Sequence, residues 1–424
     1  MKTSKLYGVC PAALFSGDTK VSGKVLEIDR WLLRTFLKGV GSPAIGAALW
    51  DGQEAAGGRG TPFRMVIRSR VTLLRLITNP LLCFGDDYSA GNIEIEGELV
   101  PFLEAVYRAM ARPGEVRRRS GRVSRWGRAW SNSLTGSRQN IQHHYDIGND
   151  FYHLWLDHEM LYTCAYFPEP ELSLEAAQIA KMDLVCRKLR LKRGDRVIEA
   201  GCGWGGLARH MAQQYGARVK AYNISAEQIA YARQRAREEG IVGVEYIEDD
   251  YRNITGECDV FVSVGMLEHV GSNNYRRLGE VIDRTLTANG LGLIHSIGQD
   301  VAEPMSEWLE KRIFPGSYTP TVREMMDIFE PYALCVLDLE NLRLHYAKTL
   351  EHWLERFEAH AGEVTQMFDP SFVRAWRLYL SGSIANFTTG SLELFQVLFS
   401  RRGNNLVPWT RDHLCEPTRD DGTV

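Results

Sequence analysis

A doubly wound α/β fold built on a mostly parallel sheet is the class this sequence predicts, and three observations carry the prediction. Short apolar runs at 195–200, 218–222, 244–247, 258–264 and 291–296 alternate with helical patterns, as in strands joined by crossover helices. The first run, Val197-Ile198-Glu199-Ala200, enters the turn Gly201-Cys202-Gly203-Trp204-Gly205-Gly206 and then a helical pattern from Leu207 to Met211. Strand, glycine turn and helix in that order make a nucleotide-cofactor loop, because Gly201, Gly203 and Gly205 permit a sharp turn and bring backbone amides close to a ligand. Finally, residues 300–390 read as mostly helical and rich in aromatics, with Trp308, Phe314, Tyr318, Trp353, Phe357 and Trp376, before a closing strand at 392–399. Such an insertion over the carboxyl end of the sheet would form a hydrophobic chamber beside the cofactor; ordinary helical core is the alternative.

The chain has 424 residues, beyond the size of about 250–300 residues at which a single core stops growing. The expected division is a small α+β unit over 1–112, a basic linker over 113–138, a catalytic domain over 139–415 that includes the helical insertion at about 300–390, and a tail over 416–424. In the first unit, Ile28, Leu32, Leu33, Phe36 and Leu37 share one helical face while Arg30, Arg34 and Lys38 recur on another. That basic face is either solvated or surface-seeking. A strand at 63–67, a helix from Val71, an alternating strand at Ile93 and Ile95 and a helix opening with Pro101 complete it.

In the linker, Arg117, Arg118, Arg119, Arg122, Arg125 and Arg128 are interleaved with Ser, Gly, Trp126 and Trp130, which defeats any core pattern. An anionic bilayer surface, a plain solvated linker and nucleic acid are the three readings, in that order. Composition is that of a soluble protein, 44% hydrophobic and 24% charged with a net charge of −3, so charge alone names no partner. No apolar run reaches roughly eighteen residues, so no transmembrane helix is expected. The eight cysteines include no C-x-x-C pair, which points to neither a disulfide framework nor a zinc site. Together these place the protein in the cytoplasm.

The glycine loop satisfies both the G-x-G-x-G spacing of S-adenosylmethionine (SAM) enzymes and the G-x-G-x-x-G spacing of nicotinamide enzymes, since Gly206 follows Gly205. Two neighbours decide. Glu199, two residues before the first glycine, suits the cationic ammonium of SAM and would repel a pyrophosphate. The second strand, 218–222, runs into Asn223-Ile224-Ser225 without the acid that a nicotinamide enzyme uses to hold its ribose, about twenty residues on. Acids instead follow the next strand, at Glu248-Asp249-Asp250, in position to meet an adenine.

Several strings then resemble one family, the cyclopropane-fatty-acid synthases with the related mycolic-acid cyclopropane synthases. They are Gln142-His143-His144-Tyr145-Asp146-Ile147-Gly148-Asn149-Asp150-Phe151-Tyr152, Tyr162-Thr163-Cys164-Ala165-Tyr166-Phe167, the glycine loop, Gly265-Met266-Leu267-Glu268-His269-Val270-Gly271, Ile294-His295-Ser296-Ile297-Gly298, Phe314-Pro315-Gly316 and Tyr346-Ala347-Lys348-Thr349-Leu350. The resemblance covers nearly the whole chain. Phe84-Gly85-Asp86-Asp87-Tyr88-Ser89-Ala90-Gly91 and Ile95-Glu96-Gly97 are similar to the small lipid-associated domain of the longer bacterial synthases.

The resemblance implies methyl transfer from SAM to a cis double bond of a phospholipid acyl chain, then closure to a cyclopropane ring. It implies a bound bicarbonate ion as proton acceptor, held by the backbone of Cys164 and Ile297 and the side chains of Glu268, His295 and Tyr346. For SAM it carries over Tyr162, Thr163, Glu199, Gly201, Gly203, Asn223, Gln228, Asp249 and Asp250. It further implies a homodimer, peripheral at the inner face of the membrane, with no role for nucleic acid or metal. Leu267 departs from the family, where phenylalanine is common, and should reshape the pocket slightly. Taken singly, His295 could be a satisfied core histidine, Glu268 a helix cap, Cys164 a buried filler and Tyr346 packing. Rival activities are a SAM-dependent C-methyltransferase that leaves a branched chain, a catalytically silent lipid-binding protein and, last, a nicotinamide dehydrogenase.

Overall fold

The computed structural model describes residues 23–57, 61–111 and 147–414. The arginine- and tryptophan-bearing linker, the first part of the opening motif up to Asp146 and the tail lie outside the described residues. Two compact units are present. Among the described residues, one comprises 23–57, 61–111, 303–315 and 350–392, the other 147–302, 316–349 and 393–414.

In the first unit, strands β1 (Gly46–Ala48), β2 (Glu54–Ala56), β3 (Arg64–Ile67) and β4 (Ile93–Glu96) form a sheet of order β2-β1-β3-β4. The three-residue β1 and β2 are not expected from sequence, because Gly-Ala-Ala and Glu-Ala-Ala lack β-branched or aromatic residues. The helix Glu27–Gly39 forms where its period predicts, but its faces are used differently. Leu33 and Leu37 are buried, while Ile28 and Trp31 are exposed. The basic stripe is partly absorbed by the fold: Arg30 pairs with Asp51, and Arg34 Nε donates to the Ala55 carbonyl at 2.7 Å. Arg30 is thus largely taken up by the fold, while Arg34 and Lys38 remain exposed.

The aromatic region of 300–390 is divided between the units. Trp308, Phe314, Trp353, Phe357 and Trp376 belong with the amino-terminal elements, and Tyr318 with the large sheet. A Cβ at Gly85 would lie 2.4 Å from the Trp308 ring, so glycine there admits the indole. Arg312 grips Asp86 through two bonds of 3.0 and 2.9 Å, and the Arg374 guanidinium lies 4.3 Å over the Tyr88 ring. The helix Pro370–Thr389 is bounded by Asp369, whose side chain accepts from the Phe372 amide, and by left-handed Gly390, the usual start and stop signals.

The second unit holds a seven-stranded sheet of order β10-β11-β9-β8-β5-β6-β7. Its strands are β5 (Arg196–Ala200), β6 (Arg218–Asn223), β7 (Val244–Glu248), β8 (Cys258–Val264), β9 (Leu286–Gly298), β10 (Leu334–Asn341) and β11 (Glu393–Arg401). β5 to β9 run parallel, and β11 is antiparallel to both β9 and β10. The doubly wound expectation holds, with one strand more: β10 lies where the sequence reads as helical. It is an edge strand carrying Asp338, Glu340 and Asn341, residues that strands disfavour, so its pattern is faint. Alternation places Val197 in a core with Leu207, Met211 and Val219, and Ile198 in the opposite core with Phe261, Leu278 and Ile282. Both faces are therefore covered, and the order reverses at β5, between β6 and β8. That reversal is where doubly wound sheets bind ligands.

Candidate active site

The glycine loop leaves the carboxyl end of β5. Gly201, Gly203 and Gly205 all have positive φ, at 87°, 53° and 81°, angles that side chains resist. A Cβ at Gly201 would meet Met266 at 2.8 Å and one at Gly205 would meet Tyr246 at 2.7 Å, whereas Gly203 faces open space. The outer two glycines thus permit packing and the middle one opens the backbone towards a ligand. Gly201, Gly203 and Glu199 line a pocket with Tyr162 and Thr163. Asn223 and Gln228 line it too, joined by a 2.7 Å bond from Asn223 Nδ2 to Gln228 Oε1.

Glu199 is 2% exposed, and its Oε2 has no hydrogen-bond partner among the described residues. Burial pushes its pKa up to about 8, because a desolvated carboxylate is costly until a cation pairs with it. A ligand ammonium is such a cation, so these residues fit SAM. Asp249 and Asp250 are placed differently from the expectation. Neither lines the pocket. Asp249 Oδ1 accepts from the Asp250 amide and from Asn253 Nδ2, both at 2.7 Å, and Asp250 is gripped twice by Arg252. Their carboxylates shape the turn after β7, although the Asp249 amide reaches the Asn223 carbonyl at 3.0 Å.

Among the pocket residues that the sequence reading does not single out, one is charged. Lys181, 1% exposed, lines the pocket and donates to Thr163 Oγ1 at 2.8 Å. Burial lowers its pKa to about 8, against the pull of Asp157, Cys164 and Glu199. The signal was present in the helix Leu174–Lys188: Leu174, Ala177, Lys181, Leu184 and Lys188 share one buried register, and lysines in an apolar register are rarely buried without a partner.

The five expected catalytic residues gather at the same end of the sheet. Cys164 and Thr163 are neighbours, and the loop they share is pinned to the start of the helix Arg343–Ala359: the Ala165 amide donates to Thr349 Oγ1 at 3.0 Å and the Phe167 amide to His345 Nδ1 at 3.1 Å. That helix also carries Tyr346, 8% exposed. Cys164 is fully buried, and burial raises its thiol pKa far enough to keep it protonated. Glu268 follows β8, and its Oε1 accepts from the Ile297 amide at 2.7 Å. The Ile297 amide, expected to face an anion, is therefore committed to Glu268. Burial raises the Glu268 carboxyl to about 7. His295 is 1% exposed, and burial holds its imidazole well below the usual range, hence neutral. Glu268 Oε2 and His295 Nε2 are both buried without partners among the described residues. The Gly265 amide donates to the His295 carbonyl at 2.9 Å, so this group adjoins the pocket wall at Gly265 and Met266.

A glycine loop at the reversal of a seven-stranded sheet, with one antiparallel strand between the last two parallel ones, defines the methyltransferase class of α/β fold. The description "Mycolic acid cyclopropane synthetase" matches residues 132–397, and one for a domain of unknown function matches 32–112. The chain is 34% identical over 385 residues to a probable fatty acid methyltransferase of Pseudomonas putida, spanning 86% of this chain and 95% of that protein. It is 40% identical over 263 residues to the cyclopropane-fatty-acyl-phospholipid synthase of Escherichia coli K12, spanning 62% and 68% respectively. The crystal structure of mycolic acid cyclopropane synthase CmaA1 complexed with SAH and CTAB aligns with a TM-score of 0.60 at 28% identity, over 62% of this chain and 98% of that one. The chain belongs to the mycolic acid cyclopropane synthetase family of enzymes.

Proposed function

We propose that this enzyme transfers the methyl carbon of SAM to a cis double bond in the acyl chain of an unsaturated phospholipid and closes it to a cyclopropane ring. The observation that carries this reading is the buried Glu199 carboxylate, whose Oε2 has no partner among the described residues, opening onto a glycine-lined pocket whose wall at Gly265 and Met266 adjoins the buried Glu268 and His295. Family membership supplies the reaction class, and the name of the Escherichia coli relative supplies the phospholipid. Bound SAM supplies an electrophilic sulfonium methyl group. Glu199 holds its ammonium, while Asn223 and Gln228 offer neutral amides to hydroxyl or carboxylate groups. An alkene is a weak nucleophile, so the chain contributes chiefly by alignment and exclusion of water.

Ring closure releases one proton. Glu268, ionised above about pH 7 and with Oε2 unpartnered among the described residues, would orient a bound anion that takes this proton, or accept the proton from it. A small anion such as bicarbonate would act as the base, held by His295 Nε2 and donating its own O–H to Glu268 Oε2, both atoms without a partner among the described residues. A phospholipid substrate puts the enzyme at a membrane surface, and the arginines and tryptophans of 113–138 suit an anionic one. No helix among the described residues is long and apolar enough to cross a membrane.

A second reading is methylation that leaves a branched chain; the Pseudomonas putida relative is named a probable fatty acid methyltransferase, without mention of a ring. One experiment separates them: the enzyme, methyl-labelled SAM and vesicles of cis-monounsaturated phospholipid are incubated, and the acyl chains are examined by mass and proton spectra. Gain of one labelled carbon with cyclopropane methylene protons and no vinylic protons is expected. A labelled chain retaining an alkene, or carrying a methyl branch, selects the second reading; an unlabelled chain rejects both.

A further inference from the structure

We infer that Gln396, oriented by Lys188 and Glu340, fixes the tautomer of His295 with its proton on Nε2, so that His295 is a hydrogen-bond donor to the reaction site and not a base. The inference rests on the reading of His295 as part of that site. It begins in the sheet, where His295 of β9 and Gln396 of β11 stand directly opposite each other. Gln396 Nε2 lies 3.0 Å from His295 Nδ1. At its other end, Oε1 lies 2.6 Å from Lys188 Nζ, and the same ammonium is paired with Glu340.

The donors and acceptors then follow in order. An ammonium donates and cannot accept, so the amide atom facing Lys188 is the oxygen. The NH2 group is left facing the ring, and it too only donates. Nδ1 is therefore the acceptor, and a neutral imidazole has its single proton on the other nitrogen. Water does not blur the assignment, because Lys188, Gln396 and His295 are 2%, 1% and 1% exposed. Flipping the amide would set NH2 against the ammonium and oblige Nδ1 to carry the proton, losing a buried charge-assisted bond. Burial lowers the Lys188 pKa, and Glu340, at the partly exposed end of the chain of contacts, opposes this by favouring the charged form. Lys188 and Gln396 touch no reacting atom in this scheme; they are positioning residues. With its proton on Nε2, His295 can hold an anion, and the proton released on ring closure goes to another group.

Nitrogen-15 spectra of the histidine rings read the tautomer directly, with the His295 resonances identified by their loss in His295→Asn. The wild type is expected to show a protonated Nε2 and a bare Nδ1. Gln396→Glu keeps a partner for Lys188 but presents a carboxylate to Nδ1, which should draw the proton there. In that variant kcat should fall by at least about tenfold while KM for SAM stays unchanged, a split that simple loosening would not give. Lys188→Arg, which retains the donor, should keep the wild-type tautomer, and thermal unfolding confirms that each variant is folded. A wild type protonated on Nδ1, or a folded Gln396→Glu enzyme with Nδ1 still bare or kcat unchanged, overturns the inference. Because the spectra need no turnover, a wild type that modifies no acyl chain would reject the proposed reaction and leave the tautomer test standing.

Discussion

At the scale of single residues, Glu199 shows what a sequence can and cannot say. Its place two residues before Gly201 points to a cationic ligand, but its raised pKa comes from burial, which outweighs the opposing pull of Lys181 and Arg209, and only the fold sets that balance. The carboxylate has to be ionised to pair with an ammonium. Since its pKa is raised to about 8, SAM should bind more tightly as pH rises towards that value and lose up to about tenfold per pH unit below it. Titration calorimetry across that range measures the slope, and Glu199→Gln should both weaken binding and flatten the profile; a wild-type profile already flat would contradict this. Lys181 stabilises the charged form of Glu199. Lys181→Met should therefore move the profile to higher pH, and an unmoved profile would show that the two side chains do not interact.

Elements were legible where periodicity and local signals agree. β8 runs over 258–264 as its apolar run predicts, and Ser173 and Ser225 cap helices where short polar residues precede a helical pattern. They were illegible where tertiary contacts decide: β10 exists because β11, buried along nearly its whole length, offers it an edge. The loop that presents Tyr162, Thr163 and Cys164 is of the second kind. Asp157 accepts from the amides of Glu159 and Leu161, each at 2.9 Å, and holds a turn in which Met160 has a φ of 58°. Gln178, fully buried, donates to the carbonyls of Leu161 and Thr163 at 3.2 and 2.9 Å. Gln178→Leu would strand both carbonyls. The expected loss is about 1–3 kcal/mol, read from urea unfolding, together with weaker SAM binding; unchanged stability and affinity would mean that the loop holds its shape without this side chain.

For the molecule as a whole, the sequence did not reveal that the helical stretch after residue 350 belongs with elements nearly three hundred residues earlier. Periodicity reports which face of a helix is apolar, not what covers it. In the amino-terminal unit the answer lies in a few contacts of that kind. Glycine at 85 makes room for the Trp308 ring, and Arg374 bonds the Tyr88 carbonyl at 2.7 Å and Glu94 at 3.2 Å. Trp376, 1% exposed, stacks on Phe372 at 5.6 Å within the same unit. Two variants test whether these contacts make one cooperative body. Gly85→Val places a side chain where the indole sits and should cost about 1–3 kcal/mol by overpacking, seen as an earlier melting transition. A chain beginning at residue 128 loses β1 to β4 and the helices around them, so Trp308 and the residues of the helix Pro370–Thr389 that pack on them lose their cover. Large exposed apolar patches drive association, and this shortened chain should bind a hydrophobic dye and aggregate on warming. If it stays monomeric and melts where the full chain does, the grouping of residues 303–315 and 350–392 with the amino-terminal elements carries no stability.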